Sequence, residues 1–204
     1  MARKKKPIDY INGLILNPKT EKIGRKLHEL YKRWKKTLLL TDFMEFVETI
    51  EKNKAFIGLA QFFGKFRAYS LEEYIFCILQ RKVKIPRNLD VYWGEKCLIL
   101  DKDAEKYGME VDVAVGTKIN EFIKPMLVVD AKIELDASRF KTTLASFVLI
   151  KNSFPETKCF LVYLKREIDE TLLKLGKSWI DSYYCFNPEV DDVERFLKDV
   201  NACF

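Results

Sequence analysis

The chain has 204 residues, 48% apolar and 13% aromatic, enough for one domain with a sizeable core and too apolar for global disorder. No run approaches 18 consecutive apolar residues, and the charged start MARKKKPIDY lacks the apolar stretch of a signal peptide, so a cytoplasmic protein with no membrane span is expected. The net charge of +6 is unevenly placed: residues 1–40 hold 12 Lys and Arg against 3 Asp and Glu, a net of +9 that leaves −3 elsewhere, which points to a polyanion for the arm and a cation for the body.

After a short basic tail, Ile23, Leu27, Leu30, Tyr31 and Trp34 recur at helical spacing and predict a helix over 20–37. Thr41 or Asp42 can cap a second helix ending near residue 52. AFIGLAQFFGKFRAY reads as helical or partly so, with Gly58 and Gly64 as interruptions. SLEEYIFCILQRK reads as a separate helix, with Ser70 as N-cap, Glu73 three residues on as a capping box, and Leu71, Tyr74, Ile75 and Ile78 on one face.

From Pro86 the pattern changes to strands. DVYWGEKCLIL (90–100) is the first, with DKDAEKYG as its turn. MEVDVAVG (109–116) is the second, and PMLVVDAKIELD (125–136) the third. Residues 137–152 form a helix stopped by Ser153-Phe154-Pro155. The apolar run CFLVYL (159–164) predicts a strand buried on both faces. SYYCF reads as one more strand, and 190–200 as a closing helix. The order is helices, then α-β-β-β-α-β, with a basic helical region over 1–66 and the core over 67–204.

Strand parity then separates the charges from the core, because alternate side chains point to opposite faces. In the third strand Leu127, Val129, Ala131, Ile133 and Leu135 share one face, while Val128, Asp130, Lys132, Glu134 and Asp136 share the other. In the second, Met109, Val111, Val113 and Val115 oppose Glu110 and Asp112. Pairing of the two strands would bring Asp112 close to Asp130 and Lys132. Two converging carboxylates suit a hard cation such as Mg²⁺, and an adjacent lysine can hold the water that attacks a phosphate. Glu134 and Asp136 read as a solvated edge.

The remaining residue types narrow the chemistry. Cys77, Cys97, Cys159, Cys185 and Cys203 are far apart and form no C-x-x-C, so they read as reduced core residues. The single histidine, His28, lies in a basic helix, which removes Ser-His-Asp triads and His-rich zinc sites from consideration. Carboxylates and lysine are left to do the chemistry.

Asp112, seventeen intervening residues and then Asp130-Ala131-Lys132, set in this element order, resemble the PD-(D/E)xK nuclease superfamily, with Val111 where the motif's name has proline. The resemblance implies a restriction-endonuclease-like α/β fold, a mixed sheet flanked by helices with an N-terminal helical extension. It implies Mg²⁺, replaceable by Mn²⁺, held by Asp112 and Asp130, with Lys132 acting on the attacking water. FRAYSLEEYIFCIL looks like the R…SLE stretch of several restriction enzymes, and helical phasing puts the further acid such enzymes carry on Glu72, with Glu73 turned away from the apolar face.

Ser138, Arg139, Lys141 and Thr142 open the next helix, where backbone amides and cations bind phosphates, and Lys32, Arg33, Lys35 and Lys36 of the basic helix are expected to grip double-stranded DNA. The expected activity is that of a type II restriction endonuclease, with a symmetric target implying a homodimer. The alternatives are a structure-specific nuclease, such as a junction resolvase or repair nuclease, and a non-catalytic DNA-binding protein on a degenerate nuclease core.

Overall fold

The computed structural model describes residues 6–102 and 105–204, so the basic tail at 1–5 and the tip of the expected turn at 103–104 lie outside the described residues. Five helices come first: α1 (Pro7–Leu16), α2 (Glu21–Thr37), α3 (Leu40–Lys52), the short α4 (Lys54–Ile57) and α5 (Ala60–Lys82). Then follow β1 (Asp90–Trp93), β2 (Lys96–Lys102), β3 (Glu105–Glu110), β4 (Val113–Ile119), β5 (Phe122–Leu135), α6 (Ala137–Ser153), β6 (Lys158–Arg166), α7 (Glu170–Leu175), a 3₁₀ turn, β7 (Ser182–Cys185) and α8 (Val193–Asn201).

β5 organises the mixed sheet. It pairs antiparallel with β4, which carries β1, and parallel with β6, which carries β7. The β2–β3 hairpin joins at the start of β5 through Cys97 and Ile123. β6 is buried on both faces as its sequence predicts: Phe160, Val162 and Leu164 pack toward α1–α5 and α8, while Cys159, Leu161 and Tyr163 pack toward α6 and α7.

The N-terminal helices share the first of these two cores. Leu27, Trp34, Phe46 and Phe66 belong to the same buried cluster as Val113 and Val129, and the boundary drawn at residue 66 falls inside α5. Aromatic rings tie the helices together: Phe43 stacks on Tyr74 at 4.4 Å between centroids, and Trp34 meets Phe43 edge-on at 5.6 Å. α1 approaches α2 closely because residue 24 is glycine; a Cβ there would lie 2.7 Å from the Ile15 backbone nitrogen. The sequence reading missed α1, although Pro7 at its first position and buried Tyr10, Ile11 and Leu14 were its signal.

Several expectations are corrected. Ser70 is not an N-cap: it lies in mid-helix, fully buried, its hydroxyl donating to the Phe66 carbonyl at 2.7 Å, because the chain continues helical through Gly64 and breaks at Gly58 (φ 116°). Glu73 is therefore no capping-box partner, nor does it face away from the core; it is buried between α5 and α2. α3 begins at Leu40, which places Thr41 and Asp42 inside its first turn.

The expected strand 90–100 is two strands, divided at Gly94 (φ 63°). The expected strand 109–116 is divided at Val111 and Asp112, which bond instead to Glu95 and Gly94. That break reverses parity: Val111 packs toward α6, whereas Val113 and Val115 pack toward α5. Strand character also extends through most of the expected turn 101–108, and β5 starts at Phe122. The register of β4 shifts between Val115 and Gly116, opposite Pro125, whose missing N–H is accommodated at the irregularity. At the other end of β5, Leu135 is fully buried in the α6-side cluster, not on the Leu127 face.

Cys77, Cys97 and Cys159 are buried, and all five cysteines are free. Burial pushes the Cys97 and Cys159 thiols up to about 12, which leaves them inert as nucleophiles.

Candidate active site

The break between β3 and β4 places Asp112 just before β4, beside β5, where its carboxylate Oδ2 accepts the Ala131 backbone N–H at 2.8 Å. One strand away, Lys132 Nζ donates to Asp130 Oδ1 at 2.5 Å and lies 3.7 Å from Asp112 Oδ2. The other Asp130 oxygen accepts from the hydroxyl of buried Thr143 on α6. Glu72 enters from α5, 4% exposed, its Oε2 accepting the Trp93 indole N–H at 2.8 Å. Glu73, one position on, turns to the far side of α5.

These groups perturb one another. Burial raises the Asp112 pKa well above the usual carboxylate value, and the negative charges of Asp130 and Glu72 raise it further. Burial also opposes ionisation of Asp130, but the Lys132 ammonium and hydrogen bonds from Asp112, Lys132 and Thr143 hold its pKa below the usual value. Burial would lower the Lys132 pKa; Asp130 and Asp112 more than reverse this, so Lys132 is an ammonium. Crowded carboxylates relieved by one lysine form an environment that a cation would stabilise.

Asp112, Lys132 and Glu72 line a cleft of about 270 Å³ with Gly64, Arg67, Ala68, Ala131, Ile133, Glu134 and Arg139. Asp112 also borders a smaller space of about 40 Å³ beside α6, with Asp130 and Glu110 on its wall. Among the described residues, no group of three or more His, Cys, Asp or Glu could hold a metal by itself. The donor set is thus two adjacent carboxylates, which fits Mg²⁺: that ion commonly takes one or two carboxylates and completes its shell with water and phosphate.

The other expected residues are placed more loosely. Asp136 caps α6, accepting the Arg139 N–H at 2.8 Å, and the Arg139 guanidinium reaches Asp136 at 2.6 Å and Glu134 at 3.7 Å. Ser138, Lys141 and Thr142 are exposed on the first turns of α6, outside the cleft lining. On α2, Lys32 and Lys36 are exposed, Arg33 pairs with Asp42 and Glu45, and Lys35 reaches inward to Glu73 at 2.8 Å. Glu134, read as a solvated edge, is instead paired with Arg67 at 3.1 Å.

Sequence reasoning missed Thr143 and Trp93, because a hydrogen bond between distant elements leaves no local pattern. Arg67 stands in the quoted R…SLE stretch, and its cleft position follows from helical spacing with Gly64, Ala68 and Glu72.

No family model matches the sequence, and no curated protein matches it. Among solved structures, one described as the native BbvCI A2B2 tetramer at low resolution superposes with a TM-score of 0.58 at 12% identity, covering 93% of this chain and 86% of that one. At that identity the likeness carries the fold, a mixed sheet flanked by helices in the restriction-endonuclease-like arrangement.

Proposed function

We propose that the protein is a Mg²⁺-dependent endonuclease that hydrolyses phosphodiester bonds in double-stranded DNA, as a type II site-specific restriction enzyme. One observation carries this reading: Asp112, from the break before β4, meets Asp130 and Lys132 of β5 within hydrogen-bond or ion-pair distance beside a cleft that also holds Glu72. The likeness in fold to a BbvCI structure supports it.

Asp112 and Asp130 would hold the cation, with Glu72 acting through water. When bound, Mg²⁺ supplies Lewis acidity and neutralises charge on the phosphate. Lys132, as an ammonium, orients the attacking water by donating a hydrogen bond. The water oxygen forms the new P–O bond while the bond to the leaving sugar oxygen breaks, the attacking water losing a proton to solvent and the leaving oxygen taking one up from solvent. Thr143 and the Ala131 N–H keep the two carboxylates in place. Lys32, Lys36 and the start of α6 contact the DNA backbone, and a symmetric target is met by a homodimer acting in the cytoplasm. No helix among the described residues is long and apolar enough to cross a membrane.

The test is digestion of unmodified plasmid and phage DNA with Mg²⁺, followed by sequencing of the ends. Discrete ends at one short sequence are expected. Asp112→Asn, Asp130→Asn and Lys132→Ala should each abolish cutting and leave DNA binding intact. Cutting confined to branched DNA would replace the reading with a structure-specific nuclease. DNA binding without cutting in Mg²⁺ or Mn²⁺ would replace it with a non-catalytic binder.

A further inference from the structure

We propose that Arg67 and Arg139 form a two-guanidinium clamp for one DNA backbone phosphate, and that Glu134 occupies the phosphate's place until DNA arrives. The inference rests on the nuclease reading and adds to it a specific phosphate subsite and a built-in competitor.

The two arginines come from opposite walls of the cleft, Arg67 from α5 and Arg139 from α6. Glu134 spans them: its Oε1 lies 3.1 Å from Arg67 Nη1, and its Oε2 lies 3.7 Å from Arg139 Nη2. An anion with oxygens pointing both ways thus already lies between two guanidiniums, groups suited to phosphate oxygens, and Arg139 contacts Asp136 as well at 2.6 Å.

Arg67 is also built into the wall. Its guanidinium lies over the Phe63 ring, 4.5 Å from the centroid, and its Nη1 contacts Glu51 at 2.6 Å. Its Nε is buried with no hydrogen-bond partner among the described residues, so its present carboxylates do not use all its donors.

Charge supports the assignment. Glu72, Asp112 and Glu134 line the cleft with Arg67, Lys132 and Arg139, and Glu51, Asp130 and Asp136 contact those three cations from outside that lining. A divalent cation at Asp112 would offset these acids and favour a phosphate entering from the Arg67 side. There is space for it: a Cβ added at Gly64, on that wall, would meet nothing within 4 Å.

The experiment measures binding of a labelled DNA duplex to the full chain by fluorescence anisotropy in EDTA, over a range of salt. If Glu134 competes with phosphate, Glu134→Gln should tighten binding about tenfold, roughly 1.4 kcal/mol. The gain should vanish in Arg67→Gln/Glu134→Gln. Arg67→Gln alone should reduce the log–log salt slope by about 0.9, one phosphate contact, and Arg67→Lys should retain it. A purely structural role for the Arg67–Glu134 pair predicts lower thermal stability with no gain in affinity for Glu134→Gln, and that result overturns the clamp. Glu134→Gln decides this even if the Arg67 variants fold poorly. Wild-type protein that binds and cuts DNA while Glu134→Gln shows no gain refutes this inference alone; wild-type protein that does not bind duplex DNA refutes the nuclease reading with it.

Discussion

Lys35 belongs to the most basic helix of the chain, yet the structure turns it inward, and replacing it should reveal a buried ion pair. The Glu73 side chain is 5% exposed; its Oε1 accepts from Tyr31 Oη at 2.9 Å and from Lys35 Nζ at 2.8 Å, and its Oε2 is buried with no hydrogen-bond partner among the described residues. Burial would lower the Lys35 pKa, but the hydrogen bond and charge of Glu73 raise it, so Lys35 is an ammonium. Lys35→Met would leave a carboxylate in the core with one neutral donor.

Breaking a buried pair from one side costs about 3–5 kcal/mol. Because Lys35 is 28% exposed, the lower end applies, about 3 kcal/mol. For a chain of this length that corresponds to a fall in Tm of about 6–12 °C. Glu73→Gln, which keeps an acceptor for Tyr31 and frees Lys35 toward solvent, should cost less, about 1 kcal/mol. The double variant should recover most of the loss, because no buried charge remains. Thermal and urea melts of the four proteins form the cycle. A loss below about 1 kcal/mol for Lys35→Met, or no recovery in the double variant, would refute the reasoning. The same variants separate structure from DNA contact: Lys35→Met should leave the salt slope of DNA binding unchanged, while Lys32→Gln and Lys36→Gln should flatten it.

Asp112→Asn should stabilise the metal-free protein at pH 8 while abolishing cleavage. Burial and the charges of Asp130 and Glu72 hold the folded pKa above the unfolded value of about 3.9, so ionised Asp112 costs stability increasingly as pH rises from that value through the folded pKa. Melts should therefore show a Tm gain at pH 8 that shrinks toward pH 4, and a variant less stable than wild type at pH 8 would overturn this. Thr143→Val should slow cleavage and raise the Mg²⁺ concentration needed for half-maximal rate, since Asp130 loses its hydroxyl donor; Thr143→Ser should restore both. Gly116→Ala should destabilise by about 1–3 kcal/mol in urea melts, because the new Cβ would lie 2.3 Å from the Lys124 carbonyl oxygen at the β4–β5 irregularity.

The sequence by itself determined the features written in local periodicity and short spacing. Alternation along residues 127–133 separated Ala131 from Asp130 and Lys132, and the apolar run of β6 marked a strand buried on both faces. The D-x-K spacing put Asp130 and Lys132 on one face of a strand. Local pattern failed where the backbone changes partners. Gly94 and the Val111–Asp112 break redirect strands without any change in composition, and Ser70 looks like a cap because its mid-helix bond to Phe66 is invisible in a linear reading.

Only the tertiary structure decided which charges are paired. Lys35 finds Glu73 38 residues away, and Arg67 finds Glu134 67 residues away. The energy of an ion pair depends on distance and on the surrounding dielectric, and both are set by how helices and sheet pack, not by neighbours along the chain.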